Sequence, residues 1–240
     1  MVRGPELAST PSMRDILLIN PNTSTSTTEM MVRIASDGLP AGFRVRGATV
    51  DAGPSMIVDE RELDAAAAEV ERTWRAVGGD CAGVIVGAFG DPGLAQVRAA
   101  SRVPAVGLCE AAMREASQGG RRFGIATVTP SLVVPIDARA DALGLRAVYT
   151  GIRLTEGDPR ALAAAPQALE EALARAVRRC IDEDGAQAVI IGGGPLGQAA
   201  IGLAERFEVP VIAPISSAVR WLLARIAPAQ TPHAGHLPTD

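Results

Sequence analysis

Two segments of this chain repeat one pattern, in which an apolar strand ends in small residues and a second short strand follows. The first copy is residues 84–88 (VIVGA) followed by 103–106 (VPAV), and the second is 189–193 (VIIGG) followed by 209–212 (VPVI). The copies lie about 105 residues apart, which is too long for the unit of a solenoid. The repeat therefore predicts two similar halves with a cleft between the tips of their strands, and Ala88 and Gly193 are equivalent positions at that cleft.

A third pair supports the same duplication, because residues 17–23 (LLINPNT) correspond to 124–130 (GIATVTP) at a similar spacing. Short β-branched runs alternate with longer helical patterns, which is typical of parallel sheets covered by helices. We predict an α/β fold with two pseudo-symmetric lobes, each a parallel sheet flanked by helices. The predicted strands are 15–19, 43–49, 82–87, 104–107, 122–127, 147–152, 187–191 and 210–213, and the predicted helices are 24–37, 59–77, 92–101, 110–117, 131–143, 159–182, 196–206 and 216–226.

The predicted boundaries divide the chain into two lobes and two flanking segments. Residues 1–12 are expected to be a disordered leader, and residues 228–240 a flexible tail that contains His233 and His236. The first lobe is 13–110 plus 215–227, and the second lobe is 111–214.

Composition excludes several classes of function. Hydrophobic residues make up 48% of the chain and charged residues 21%, which is typical of a globular protein. The net charge of −4 and the lack of a basic run argue against nucleic-acid binding. The apolar runs are too short to span a bilayer, and no secretory signal is recognisable, so we expect a cytoplasmic protein. Cys81, Cys109 and Cys180 show no metal-ligand spacing, and we predict neither a metal nor a cofactor.

Polar residues that begin helices follow several predicted strands. Asn22 and Ser24 follow the first strand, Asp91 precedes Pro92, and Ser216 and Ser217 follow the last strand. In open α/β sheets ligands bind beyond the carboxyl ends of the strands, where helix N-termini point their amides. The chemistry of this chain is therefore predicted at one rim.

Three ordered motifs carry a resemblance to a known family. The segments 19–24 (INPNTS), 89–94 (FGDPGL) and 106–113 (VGLCEAAM) resemble those of the hydantoin and allantoin racemases, within the wider aspartate/glutamate racemase superfamily. The resemblance extends from about Arg14 to Ala227. It implies a two-lobed fold, a small-molecule substrate, a homo-oligomer, and cofactor-free proton transfer at a carbon beside a carbonyl.

The resemblance also implies two catalytic cysteines, one from each lobe, which exchange protons with opposite faces of that carbon. These cysteines belong at Ala88, directly before Phe89, and at Gly193, within the turn 192–196 (GGGPL). Neither alanine nor glycine can transfer a proton. The two-thiol mechanism is therefore absent from this chain.

Three other side chains are candidate replacements. Cys109 is either a small apolar filler or a displaced nucleophile or base whose pKa the next helix N-terminus lowers. Glu110 either complements the helix dipole or faces the cleft as a base. Asp91 is more readily a helix cap than a base, and Cys81 and Cys180 are predicted to be structural.

The predicted substrate-binding residues lie on the same rim. The family match favours ligand binding by the residues after the first strand, and Thr127, Thr129 and Ser131 form their counterpart in the second lobe. Glycine allows backbone amides to approach a ligand at Gly192 to Gly194. The full predicted set is Asn20, Asn22, Ser24, Phe89, Thr127, Thr129, Gly192, Gly194, Ser216 and Ser217.

Three functions remain open at this point. The leading one is a cofactor-independent isomerase acting on a hydantoin-, ureide- or amino-acid-type carbon acid. A one-sided lyase, decarboxylase or cyclase on the same scaffold is the first alternative, because it needs no base on both faces. A non-catalytic homologue that binds the same small molecules is the second.

Overall fold

A computed structural model describes residues 13–226 of the chain. The predicted leader and the predicted tail, with His233 and His236, lie outside the described residues. Among the helices of this range, none has the length and apolarity that crossing a membrane requires.

The first sheet contains four parallel strands in the order β2-β1-β3-β4. Their bounds are β1 Arg14–Asn20, β2 Phe43–Thr49, β3 Gly83–Val86 and β4 Ala105–Gly107. The second sheet is also parallel and has the order β6-β5-β7-β8. Its strands are β5 Phe123–Thr127, β6 Tyr149–Leu154, β7 Ala188–Ile191 and β8 Val211–Ile212.

When β1 to β4 are matched in chain order with β5 to β8, the two sheets have the same strand order. The duplication and the predicted α/β fold are therefore confirmed. The central strands are buried on both faces, as Ile16–Ile19 in β1 and Val84–Val86 in β3 illustrate. Parallel strands covered by helices on both sides are continuous apolar runs for this reason. The exact lobe boundaries at 110 and 214 stay predictions.

Nine α-helices cover the sheets within the described range. They are α1 Thr25–Ser36, α2 Glu60–Val77, α3 Leu94–Ala100, α4 Leu108–Ala116, α5 Val133–Ala142, α6 Pro159–Ala163, α7 Pro166–Asp182, α8 Gly197–Leu203 and α9 Pro214–Leu223. The single helix predicted over 159–182 is wrong, because Pro166 lacks an N–H and begins a new helix instead.

The helices that follow the last strand of each sheet pack across the boundary between the sheets. Helix α9 packs on β3, β4 and α1 of the first sheet, whereas α4 packs on β7, β8 and α5 of the second. The two helices also pack on each other. Because each of these helices follows a strand of one sheet and packs against the other sheet, the two sheets are held together and the ends of their strands meet at one junction.

At that junction the backbones of the two lobes come into close contact at glycine. A β-carbon on Gly194 would lie 2.6 Å from the carbonyl oxygen of Gly87, and one on Gly192 would lie 3.0 Å from the Phe89 ring. Real β-carbons do not approach a backbone oxygen this closely. Glycine at 194 is therefore required by the distance between the lobes.

We predict that Gly194→Ala lowers the free energy of unfolding by about 1–3 kcal/mol, since the new methyl group must push Gly87 away. Gly193→Ala is the matched control. A β-carbon there would lie 2.8 Å from Cγ of Leu196, so this side chain must shift but no backbone atom need move, and the φ of 165° is extended backbone; we expect a smaller loss than at Gly194. Denaturant unfolding measures both variants, and an equal loss in the two would contradict this account of the junction.

Candidate active site

The carboxyl ends of β1, β3, β5 and β7 surround one small cavity of 40 Å³, room for a few water molecules. The turn after β3 contributes Ala88 and the turn after β7 contributes Gly193, so the two equivalent positions of the repeat line the same space. The remaining lining residues are Asn22, Met56, Ile57, Leu63, Gly87, Phe89, Val128, Thr129, Leu132, Ile136, Gly192, Gly194, Pro195 and Leu196.

Among the residues that the structure describes, no side chain that lines the cavity has an ionisable group. Asn22 and Thr129 are its polar side chains, and the rest is apolar or glycine. Residues 13–226 also hold no cluster of histidine, cysteine or carboxylate side chains that could bind a metal ion. The cavity therefore offers hydrogen bonds and apolar contact, but no side chain that exchanges a proton near neutral pH.

Backbone amides supply further donors at both equivalent turns. Within residues 13–226 the N–H groups of Ala88, Phe89, Gly193 and Gly194 make no hydrogen bond. The amides of Gly87 and Asp91 near the first turn are paired, since Gly87 donates to Ile19 and Asp91 donates to Ala88. Unpaired amides in a largely enclosed cavity are suited to a carbonyl or enolate oxygen.

The turn after β1 is held by its own side chains. The Asn20 side-chain amide donates to Asn22 Oδ1, to the Ser24 carbonyl and to Thr28 Oγ1, each at 3.0 Å, so Asn20 is fully used in the fold. Ser24 caps α1 by accepting from the Thr27 N–H. Asn22 accepts through Oδ1, and its Nδ2 has no partner among the described residues. Of the three predicted binding residues, Asn22 alone lines the cavity.

The second lobe has a counterpart with the same division of roles. Thr127 donates its hydroxyl to the Gly192 carbonyl at 2.6 Å, which fixes the glycine turn. Thr129 lines the cavity, and its hydroxyl lies 3.4 Å from that of Thr127. Ser131 is exposed to solvent.

Ser216 and Ser217 do not cap the last helix, in contrast to the prediction. Helix α9 begins two residues earlier at Pro214, because proline is favoured at the first helical position. Ser217 donates to the Ala213 carbonyl and borders a groove between α4 and α9, away from the cavity.

Of the two interpretations of Cys109, the structure favours the small apolar filler over the displaced nucleophile or base. The thiol is completely buried in the core, and burial together with the neighbouring Asp91 carboxylate raises its pKa well above the usual value. The helix N-terminus cannot compensate, because its amides already bind Asp91. Cys109 therefore stays a neutral thiol near pH 7, which fits the filler interpretation.

Glu110 lies outside the cavity lining and forms ion pairs with Arg98 at 2.8 Å and with Arg114 at 3.2 Å. Burial raises the pKa of this carboxyl, but the two arginines outweigh burial and lower it overall. A paired, ionised carboxylate of this kind contributes to the fold of α4. The alternative role as a base facing the cleft has no geometric support.

Asp91 caps a helix, but not the one that follows it. Helix α3 has Gly93 at its N-cap and no side-chain cap, whereas Asp91 accepts from the Cys109 N–H at 2.8 Å and the Glu110 N–H at 2.9 Å. Arg139 of α5 donates to the same carboxylate at 3.0 Å. Burial raises the pKa of Asp91, although Arg139 and the two amides oppose that shift. No sequence signal identified Arg139.

The chain is similar to known racemases in sequence and in fold. A model of the family described as Asp/Glu/Hydantoin racemase matches residues 16–222. A hydantoin racemase from Paenarthrobacter aurescens is 30% identical over 211 residues, which cover 85% of this chain and 88% of that protein. An allantoin racemase structure from Klebsiella pneumoniae has a TM-score of 0.82 at 28% identity, covering 92% of this chain and 91% of that one. An allantoin racemase structure from Pseudomonas fluorescens has a TM-score of 0.83 at 24% identity, covering 94% and 100%.

We predict that a thiol reagent at pH 7.5 labels Cys81 of the folded protein and leaves Cys109 and Cys180 unlabelled. Burial raises the pKa of all three thiols, but Cys81 is partly exposed and a reagent can reach it, whereas Cys109 and Cys180 are buried. Mass spectrometry of peptides from native and unfolded protein measures the labelling. If Cys109 reacts in the folded protein as fast as Cys81, it is an accessible thiolate and not a buried filler.

Proposed function

The chain belongs to the Asp/Glu/hydantoin racemase family, and we propose that its cavity binds a small neutral carbonyl compound of the hydantoin or ureide type and stabilises the enolate formed beside the carbonyl. One observation carries the proposal. Ala88 and Gly193, the equivalent ends of β3 and β7, share one cavity, and each stands in a turn with unpaired amides. The leading reaction is isomerisation at the carbon between them.

The lining favours a neutral ligand over a free amino acid. A charged group that leaves water needs an ion pair or several hydrogen bonds, and the described lining has no charged side chain to pair with it. Cyclic ureides are uncharged near neutral pH and present carbonyl oxygens to donors. The unpaired Nδ2 of Asn22 and the hydroxyl of Thr129 are side-chain donors for such oxygens.

The backbone amides support the enolate itself. When a proton leaves the carbon beside a carbonyl, negative charge grows on the carbonyl oxygen, and fixed donors in a water-poor site stabilise it. Ala88 and Phe89 from one lobe, with Gly193 and Gly194 from the other, supply these donors. A ring-sized ligand needs more space than 40 Å³, and we propose that Met56 and Ile57, which line the cavity and are only half-buried, move aside on binding.

Proton transfer is the step for which the lining has no side chain. The family resemblance implies cysteine at 88 and 193, and neither alanine nor glycine can replace it. In an isomerisation the proton must therefore pass to water or hydroxide within the cavity. The protein then contributes enolate stabilisation and positioning, without the further factor of about 10²–10⁴ that a placed acid or base provides.

A one-sided lyase is the second candidate, and the same lining favours it. Decarboxylation breaks the bond between the α-carbon and a carboxylate, releases carbon dioxide and leaves the electron pair as an enolate. No base is needed for that step, and water can return a proton to the carbon. This reaction requires a substrate that carries a charged carboxylate, and the unpaired amides would have to bind it because the described lining has no charged side chain.

The test follows optically active 5-substituted hydantoins and allantoin in deuterium oxide by NMR and polarimetry, with carbon dioxide release from α-substituted malonates measured in parallel. Deuterium at the α-carbon with loss of rotation is expected for the isomerase. Carbon dioxide release from a malonate, with the optical rotation of the hydantoins and allantoin unchanged, identifies the lyase. A thermal shift without turnover of any compound identifies a binding homologue. If none of these compounds stabilises or reacts with the protein, the proposal is wrong.

Two double variants sharpen this test. Ala88→Cys with Gly193→Cys places a thiol on each face, and we expect racemisation at least about 10²-fold faster than in Ala88→Ser with Gly193→Ser. The serine pair is nearly the same size, but its hydroxyls stay protonated. Ala88 already carries a β-carbon, whereas one at Gly193 would lie 2.8 Å from Cγ of Leu196 and requires that side chain to shift; the cysteine and serine pairs share this requirement, so their comparison is unaffected by it. Equal rates in the two would mean that these positions do not flank the reacting carbon.

A further inference from the structure

Asp91 has an unusual backbone conformation directly after the Ala88–Phe89 turn. Its φ of 54° is the one positive value outside glycine within residues 13–226. Non-glycine residues enter this region at an energetic cost and stay there only when their surroundings hold them. The contacts of its side chain account for that restraint.

The carboxylate of Asp91 connects three elements. It binds the N–H groups of Cys109 and Glu110 at the start of α4, which has no capping side chain of its own. It also binds Arg139 of α5, the helix whose Ile136 lines the cavity from the second lobe. The side chain of Asp91 is 0% exposed and that of Arg139 is 30% exposed, so water screens this ion pair weakly.

Neighbouring residues are shaped to this arrangement. A β-carbon on Gly107 would overlap the Asp91 carboxylate, so glycine at the end of β4 makes room for it. The hydrogen bond to Asp91 is the only one that the Arg139 side chain makes to the described residues, and its Nε is buried without a partner. Arg139 therefore has no alternative that would hold it once Asp91 is lost.

We propose that Asp91 and Arg139 are positioning residues, which lock the Ala88–Phe89 amides of one lobe against the α5 wall of the other and so fix the width of the cavity. The backbone of Asp91, with its positive φ, restrains the turn. The ion pair with Arg139 connects that turn to α5 of the second lobe. The pair lies outside the cavity lining and takes no part in proton transfer. Its effect on a ligand is indirect, through the geometry of the amides.

Hydrogen–deuterium exchange of the ligand-free full chain tests this coupling without any assumption about substrate. The variants are Asp91→Asn and Arg139→Gln. Each is expected to speed exchange about tenfold in both 87–94 and 133–142, because each leaves the other partner buried and uncompensated. The variant Arg139→Lys, which keeps the charge, should restore much of the protection in 87–94.

Asp184→Asn is the matched control, since it breaks a carboxylate–arginine pair with Arg153 inside the second lobe. It should loosen its own surroundings and leave 87–94 unchanged. If Arg139→Gln leaves exchange in 87–94 at the wild-type rate, Asp91 is only a local cap for α4 and the proposal fails. If Asp91→Asn does not fold, Arg139→Gln and Arg139→Lys still decide the question.

A second arm rests on the proposed function and uses 5-benzylhydantoin as the probe. At a temperature well below unfolding, its affinity should fall about tenfold in Arg139→Gln and stay unchanged in Asp184→Asn. Wild-type protein that binds no 5-benzylhydantoin would count against the proposed function, while the exchange result would still decide the coupling. Unchanged affinity in Arg139→Gln beside a binding wild type would overturn the positioning role.

Discussion

The contact between the backbones of the two lobes at glycine is the constraint on which the site depends. Gly194 lies against the Gly87 carbonyl, and Gly192 lies against the Phe89 ring. Side chains at these positions would force the strand ends apart. Because they are absent, the turns after β3 and β7 face a common cavity, and the proposed binding of one ligand by unpaired amides from both lobes depends on this approach.

The cavity combines a racemase framework with a lining that cannot carry protons. The fold, the family and the racemase type of enzyme predicted from the sequence agree with the relatives of this chain. Its described lining is apolar apart from Asn22, Thr129 and backbone amides. Such a site can hold and polarise a carbonyl compound, which is the part of enolate chemistry that does not require an ionisable side chain.

Sequence patterns predicted the features that repeat. Apolar runs marked the strands, and the duplicated turns brought attention to Ala88 and Gly193. Contacts between distant residues were not accessible in this way. Asp91 was recognised as a cap, but its target 18 residues away and its partner Arg139 follow from the packing of α4 and α5. The choice between the two interpretations of Cys109 also depends on packing, since a local helix N-terminus favours a thiolate while burial and Asp91 raise the pKa of the thiol.

We propose that the amides of Ala88, Phe89, Gly193 and Gly194 together bind the carbonyl oxygens of one ligand. An NMR titration of ¹⁵N-labelled protein with a 5-substituted hydantoin tests this binding. These four amide signals should move downfield along a single binding curve, as expected for N–H groups that gain an acceptor. Shifts confined to one lobe, or saturation at different ligand concentrations in the two lobes, would contradict it.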